Sequence, residues 1–348
     1  MGTPTAITTP FAIAYEQAVD ALRRKHGLVL QYAKNQAVFP AEFLTPELLE
    51  YFRAQKCALS LLITPARAKS LSLTTEAIDI TTLPFEQITQ LADPTLGIAE
   101  SMHNIASVPL PPHAGLLLTL AKHASLLPAM IIIGGDIPNW PRIDMAAVET
   151  YLKQASVTVE QTTEASLPIE GAENARAKTF RANDGSVHLA LVIGDAKDGV
   201  LTRVHSSCVT GDILGSLRCD CGDQLSLAIH QLAEAKNGVL LYLHQEGRGI
   251  GITNKLRAYK LQELGFDTYE ANALLGFDED ERDFALAAAI LKTLGIHNVR
   301  LLTNNPKKID ALQTHGITIS ERIPLIASSG KHNHAYLTAK GKKAGHLF

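Results

Sequence analysis

The chain is short of cysteine: four among 348 residues, unevenly spaced. That excludes a disulfide-built scaffold and points to a reducing compartment. It has no excess of either charge. Lys and Arg number 32 against 35 Asp and Glu, a net charge of -3, so a broad cationic surface for nucleic acid is not expected. It has no long uninterrupted apolar run. The most apolar stretch, residues 116–133, is broken by Lys122, His123 and Pro128, and reads as a buried helix followed by a strand over 130–133, so no membrane span is expected. Residues 1–17 lack the basic and apolar regions of a secretory signal, and a cytoplasmic location is the expectation. Internal repeats and low-complexity tracts are also missing.

Hydrophobic residues make up 46% and charged residues 19%, a composition that folds rather than stays disordered. The length exceeds what one core usually serves, so two domains are expected. Composition shifts at QASVTVEQTTEASLPIEGAEN, residues 154–174, which is polar and without sustained helical period. The boundary is therefore drawn at 155/156, giving domains 1–155 and 156–348. The concentrated polar motifs all lie in the second.

That second domain alternates strand and helix. Strands are expected over 187–193, 239–243 and 299–302, each a short apolar run. Helices are expected over 224–235 and 284–294, and from Asn254 as a cap through Leu264 with Leu256, Leu261 and Leu264 inward. A further helix starts at Asn304–Asn305–Pro306, where proline suits the first turn. The pattern specifies an α/β fold of two domains, each a mixed sheet flanked by helices.

Three of the four cysteines, Cys208, Cys219 and Cys221, fall in RVHSSCVTGDILGSLRCDCG with spacing C-x10-C-x-C. Three converging thiolates favour zinc. With no fourth cysteine nearby, the open position is that of a catalytic zinc, whose bound water is acidified. His205, three residues before Cys208, offers the alternative of a closed structural site. Cysteines with no metal are the third reading, and a redox pair is disfavoured because C-x-C closes a strained disulfide.

Two turns have the makings of anion sites. HQEGRGIG sets Gly247, Gly249 and Gly251 between a strand and a helix, with Arg248 as a bidentate donor; an ordinary strand-to-helix loop is the other reading. TNNPKK, residues 303–308, puts two lysines at a helix N-terminus, against the dipole, a cost that a bound phosphate would explain. The acidic run DEDERD, residues 278–283, is compatible with a solvated helix start, but Arg282 inside it is unexpected and Asp280 is a candidate proton acceptor.

Jointly, RVHSSCVTGDILGSLRCDCGDQL, LHQEGRGIGITNKLRAYKLQELGFDTYEAN, LGFDEDERDF, VRLLTNNPKKIDAL and the tail HAYLTAKGKKAGHL closely resemble GTP cyclohydrolase II of riboflavin synthesis. The resemblance covers essentially all of residues 203–348. It implies opening of the guanine imidazole ring of GTP to a 2,5-diaminopyrimidinone ribosyl phosphate with release of formate and pyrophosphate, using zinc on Cys208, Cys219 and Cys221 and magnesium on the phosphates. It implies Tyr259 beside the reacting ring, Asp280 as proton acceptor and Arg282 as nucleophile at phosphorus. It assigns GTP contacts to Arg203, Val204, His205, Ser206, Ser207, Gln224, Glu246, Gly247, Arg248, Thr268, Thr303 and Lys308, and implies a homodimer. One departure stands out: the family's H-S-E-C reads His205-Ser206-Ser207-Cys208 here.

Residues 11–155 resemble 3,4-dihydroxy-2-butanone 4-phosphate synthase more faintly, through FPAEFLTPELLEYFRA, LSLLITPARAKSL and LAKHASLLPA. The family's acidic loop is gone from LVLQYAKNQAVFPAE, and its H-T-E-A appears as His113-Ala114-Gly115-Leu116. A lone histidine does not hold magnesium, so this domain is expected to be non-catalytic, a dimerisation or stabilising module. The competing functions are a GTP hydrolase that stops at the formamidopyrimidine, a nucleotide-binding regulator without catalysis, and a bifunctional enzyme.

Overall fold

A computed structural model describes residues 10–31, 36–97 and 105–325. The tail motif at 334–347 lies outside the described residues. The chain divides into two compact units, Met1–Ala155 with Thr253–Asp280, and Ser156–Ile252 with Glu281–Phe348. Each holds a mixed sheet flanked by helices.

The first unit carries a six-stranded sheet of β1 (Leu28–Leu30), β2 (Gln36–Pro40), β3 (Leu59–Ile63), β4 (Ala77–Asp79), β5 (Ala129–Ile133) and β6 (Arg142–Ile143), in the order β4-β3-β5-β2-β1-β6. All pairings are antiparallel except β1 with β6. Strand β5 is buried on both faces, as its unbroken apolar sequence requires. Ala129, Ile131 and Ile133 join a core with Phe39, Phe52 and Leu91, while Met130 and Ile132 join another with Leu22, Leu30 and Leu117. Helices α1 (Pro10–Arg23), α2 (Pro46–Ala54), α3 (Pro65–Ser70), α4 (Phe85–Ala92), α5 (Ala114–His123) and α6 (Met145–Gln154) supply these layers. Thr45-Pro46 and Thr64-Pro65 each start a helix: Thr45 and Thr64 accept from the backbone N–H of Leu48 and Arg67, and the prolines fill the first turn, where no N–H is needed.

The second unit carries β7 (Val159–Ser166), β8 (Arg176–Ala182), β9 (Val187–Ile193), β10 (Val200–Ser206), β11 (Gly238–Leu243), β12 (Asn298–Leu302) and β13 (Thr318–Ile323), ordered β13-β12-β10-β11-β9-β8-β7. Strands β11, β10, β12 and β13 run parallel; β9, β8 and β7 are antiparallel. The polar stretch at the expected boundary forms the exposed edge strand β7. Helix α7 (Cys221–Glu234) precedes β11. The chain then forms α8 (Gly251–Glu263) and α9 (Thr268–Leu274), and returns through α10 (Ala285–Thr293) and α11 (Pro306–Thr314).

By packing, residues 253–280 group with the first unit. One expectation needs correcting. Within α8, Asn254 is fully buried inside the helix rather than capping it, and Leu256 and Leu264 are more than half exposed, leaving Asn254, Ala258 and Leu261 as the inward stripe. The run 278–283 is irregular chain ahead of α10, with the Asp283 side chain accepting from Ala285 N–H.

Candidate active site at the carboxyl edge of the second sheet

Parallel strands β10, β11 and β12 end at one edge, and each delivers one motif there. Strand β10 leads into the cysteine loop, β11 into HQEGRG and β12 into TNNPKK. The carboxyl edge of parallel strands is where α/β folds place ligands, because the loops there can vary while the sheet holds their roots.

The thiols of Cys208, Cys219 and Cys221 lie within 4.8 Å of one another. The Cys208 and Cys219 sulfurs are 3.7 Å apart, too far for a disulfide and close to the ~3.8 Å edge of a tetrahedron with metal–sulfur bonds of about 2.3 Å. Gly211 N–H donates to the Cys208 sulfur at 3.3 Å. A Cβ on Gly211 would lie 2.8 Å from the Cys219 sulfur and 3.1 Å from that of Cys208, so the glycine is what lets the sulfurs close up. The bond with Cys208 is the main cause that raises the Cys219 thiol pKa. His205 stands outside the group: its Nε2 meets both oxygens of Asp212 at 3.2 Å.

Asp212 is the keystone of the loop. Its carboxylate also accepts from Cys208 N–H at 2.9 Å and from the Tyr242 hydroxyl at 2.9 Å. The Tyr242 ring stacks on His205, with centroids 5.6 Å apart. Burial, then the Asp212 carboxylate, push the Tyr242 hydroxyl far above its usual range. Burial lowers the His205 pKa despite Asp212. Glu246 adds a second strut, accepting from Val209 N–H at 2.7 Å and from Gly247 N–H at 3.1 Å.

Cationic groups gather beside this loop. Arg203 is buried, with Nη1 donating to Leu302 O at 3.0 Å and Nη2 to Gln224 Oε1 at 2.7 Å. Burial pushes its pKa down to about 10, opposed chiefly by Cys221 and Asp220. Arg203 Nε, His205 Nδ1 and the hydroxyls of Ser206 and Ser207 are buried without partners among the described residues. Lys308 donates to Val204 O at 2.9 Å, and its ammonium and the Arg282 guanidinium lie 5.9 and 5.1 Å from the Phe284 ring centroid. Asn305 caps α11, and the Thr303 hydroxyl accepts from Asn305 N–H. In the glycine turn, Gly247 and Arg248 are both left-handed, and a Cβ on Gly249 would lie 2.7 Å from the Glu281 backbone, to which Arg248 O is bonded.

Residues 160–324 match the family described as GTP cyclohydrolase II. GTP cyclohydrolase-2 of Shigella boydii is 57% identical over 165 residues, 47% of this chain and 84% of the relative. The chain belongs to the GTP cyclohydrolase II family. GTP cyclohydrolase-2 of Azospirillum brasilense is 45% identical over 243 residues, 66% of this chain, a share that residues 156–348 alone are too few to supply. Riboflavin biosynthesis protein RibBA of Bacillus subtilis is 56% identical over 167 residues, 47% of this chain. The chain spans 63% of the Azospirillum relative's length and 42% of the Bacillus one's. A crystal structure of RibBX, a two domain 3,4-dihydroxy-2-butanone 4-phosphate synthase from A. baumannii, covers 90% of this chain and 99% of its own at 18% identity and a TM-score of 0.31, too slight a likeness to bear on the fold.

In this cyclohydrolase-family chain the second unit contains Arg203, Val204, His205, Ser206, Ser207, Cys208, Cys219, Cys221, Gln224, Glu246, Gly247, Arg248, Arg282, Thr303 and Lys308. Tyr259, Thr268 and Asp280 belong to the first unit. Tyr259 stands on α8 with the Lys255 ammonium 5.8 Å from its ring centroid, and Thr268 opens α9, its hydroxyl accepting from Gln262. Asp212 and Tyr242 escaped the sequence reading. Asp212 sits in a T-G-D turn that reads as ordinary loop, and only its hydrogen bonds with His205, Cys208 N–H and Tyr242 reveal it.

Proposed function

We propose that the chain is a zinc-dependent GTP cyclohydrolase II, which converts GTP to the 2,5-diaminopyrimidinone ribosyl phosphate, formate and pyrophosphate. The observation that carries this reading is the trio of sulfurs, one pair of them at tetrahedral spacing, beside buried cationic and unpartnered polar groups. Cys208, Cys219 and Cys221 would hold zinc, with the fourth position left to substrate or water because His205 is turned to Asp212. Bound there, zinc would supply a Lewis acid that makes water nucleophilic near neutral pH.

The chain's own residues do the rest. Two waters are consumed at C8 of guanine: the first opens the ring at the C8–N9 bond, the second frees C8 from N7 as formate. Tyr259 orients the ring and relays protons. Glu246, already fixed by Val209 and Gly247 N–H, accepts from the amidine-like edge of guanine. Arg203, Arg248 and Lys308 would meet phosphate oxygens, and magnesium carried by the phosphates would supply further charge neutralisation there. A third water is consumed in the break at the α-phosphorus that releases pyrophosphate, with Asp280 as proton acceptor. For Arg282 we assign neutralising charge on the phosphate rather than attack, because the lone pairs of a guanidinium are delocalised and make it a poor nucleophile. A trapped phosphoryl adduct of Arg282 would overturn that choice. The Ser207 hydroxyl takes the place of the family's carboxylate and is given to the nucleotide. A homodimer, a cytoplasmic site of action and a non-catalytic first domain complete the reading.

The test is an assay of the zinc-loaded chain with GTP and magnesium that follows formate and pyrophosphate together. Both are expected, with the diaminopyrimidinone. Pyrophosphate without formate would leave a hydrolase that stops at the formamidopyrimidine, and neither would leave a nucleotide-binding regulator.

A further inference from the structure

Helix α8 is poorly equipped to stand alone. Its sequence, GITNKLRAYKLQE, has no broad apolar face, and helices of this length take most of their stability from packing. Its buried stripe runs Asn254, Ala258, Leu261, one residue per turn, and the partly buried Arg257 lies beside it. The polar members of that face find partners on the segment 1–155. Asn254 Nδ2 donates to Ser125 O at 3.2 Å, and Asn254 Oδ1 accepts from Arg257 Nη1 at 2.7 Å. Arg257 Nε donates to Asp93 Oδ2 at 2.9 Å, and its Nη1 lies 3.4 Å from Glu42 Oε2.

The two carboxylates are held by their own surroundings before α8 is considered. Asp93 Oδ1 accepts from Thr95 N–H at 2.9 Å and from its hydroxyl at 2.7 Å. Glu42 Oε2 accepts from Leu127 N–H at 2.6 Å. Their side chains are only 10% and 9% exposed. A buried pair of like charges is costly unless a cation stands between them. Arg67 is near Asp93, but its guanidinium is spent on the carbonyls of Leu91 and Gln90. The cation that reaches both carboxylates is Arg257. The close fit continues beyond α9, where a Cβ on Gly276 would lie 2.7 Å from the Thr64 hydroxyl and 3.0 Å from Pro128.

We propose that Glu42, Asp93 and Ser125 are positioning residues for the cyclohydrolase reaction, which through Arg257 and Asn254 hold α8, and with it Tyr259, in one rotational setting. Tyr259 follows Arg257 by two residues and so points about 200° away round the helix. A lock on one side of the helix axis therefore fixes the direction of the tyrosine on the other. Segment 1–155 thereby serves as the mould of a helix that carries Tyr259. This rests on the reading that Tyr259 acts at the reacting ring.

The experiment uses the full-length, zinc-loaded chain and the substitutions Asp93→Asn, Arg257→Gln and both together, with Leu49→Ala as a control that weakens a core cluster of the first unit to which α8 contributes no residue. Formate release is expected to lose about tenfold or more in kcat in each variant, with KM for GTP within about twofold and zinc content unchanged, since misplacement of one reacting group costs rate rather than affinity. The double variant should be no worse than the worse single one. Hydrogen exchange over residues 254–263 should quicken in all three and not in Leu49→Ala. Unchanged exchange in Asp93→Asn and Arg257→Gln would overturn the proposal, as would unchanged kcat or an equal loss of kcat in Leu49→Ala. If the wild-type chain releases no formate, the functional reading has failed, and the exchange experiment still decides whether α8 is held as described.

Discussion

Gly211 shows how far one missing methyl group can matter. Its Cα faces two sulfurs, with a third cysteine's Cβ only 3.0 Å from where its own would be. Gly211→Ala should spread the thiols and lower zinc affinity on the order of 10- to 100-fold, the range seen when support around a metal is disturbed; competition with a chromophoric chelator measures it. Ser207 makes the opposite case. Its hydroxyl is buried without a partner among the described residues, so the folded state gains nothing from it. Ser207→Ala is expected to leave thermal stability unchanged or raised while KM for GTP rises about three- to tenfold, the worth of one hydrogen bond. A fall in stability with unchanged KM would assign the hydroxyl to the fold. Asp212→Asn keeps the shape but weakens acceptance from Cys208 N–H, Tyr242 and His205, and should cost roughly 1–3 kcal/mol, read by denaturant titration.

At the scale of elements, strands were the most legible part of the sequence. Strand β9 spans the residues its apolar run marked, and β11 and β12 each begin one residue earlier than expected. Continuous Val, Leu and Ile leave a buried strand little alternative. Helix α8 was legible as a helix but not in its facing. Leucine spacing pointed Leu256 and Leu264 inward, whereas the buried positions are set by Asn254 and Arg257, whose partners lie more than a hundred residues away in sequence. Periodicity reports apolar stripes and is blind to a polar one. Strand β9 also carries a testable titration. His188 is buried, its Nδ1 accepting from His244 N–H at 3.1 Å and its Nε2 meeting the Ser186 hydroxyl at 2.7 Å. Burial is the main cause that lowers its pKa. The unfolded chain therefore takes up a proton near pH 6.5 that the folded chain refuses, so stability falls as pH drops below about 6.5. Denaturant unfolding between pH 5 and 8 should show that slope, and His188→Gln should flatten it.

For the whole molecule, the motifs of the second domain were readable because chemistry constrains residue type, while the division into units was not, because a chain that returns to its first unit leaves no mark on composition. Among the described residues, the three cysteines are the one cluster of potential metal ligands, and His113 on the first unit has Glu149 as its neighbour at 3.4 Å. The purified chain, given ribulose 5-phosphate and magnesium, is expected to form no dihydroxybutanone phosphate, checked by coupled assay or NMR. Among the described residues no helix is long and apolar enough to cross a membrane.

The passage of residues 253–280 back into the first unit also sets a timetable. A ribosome that has released Ala155 must add the chain as far as Asp280 before that unit has all its parts, on the order of 6 to 25 s at ordinary rates of synthesis. Throughout that interval the nascent first unit presents Glu42 and Asp93 without Arg257, and the surface against which Thr64 and Pro128 meet Gly276 stays uncovered. Its folding is therefore coupled to translation of a later stretch of the message, and a stall between codons 155 and 253 would strand it unfinished.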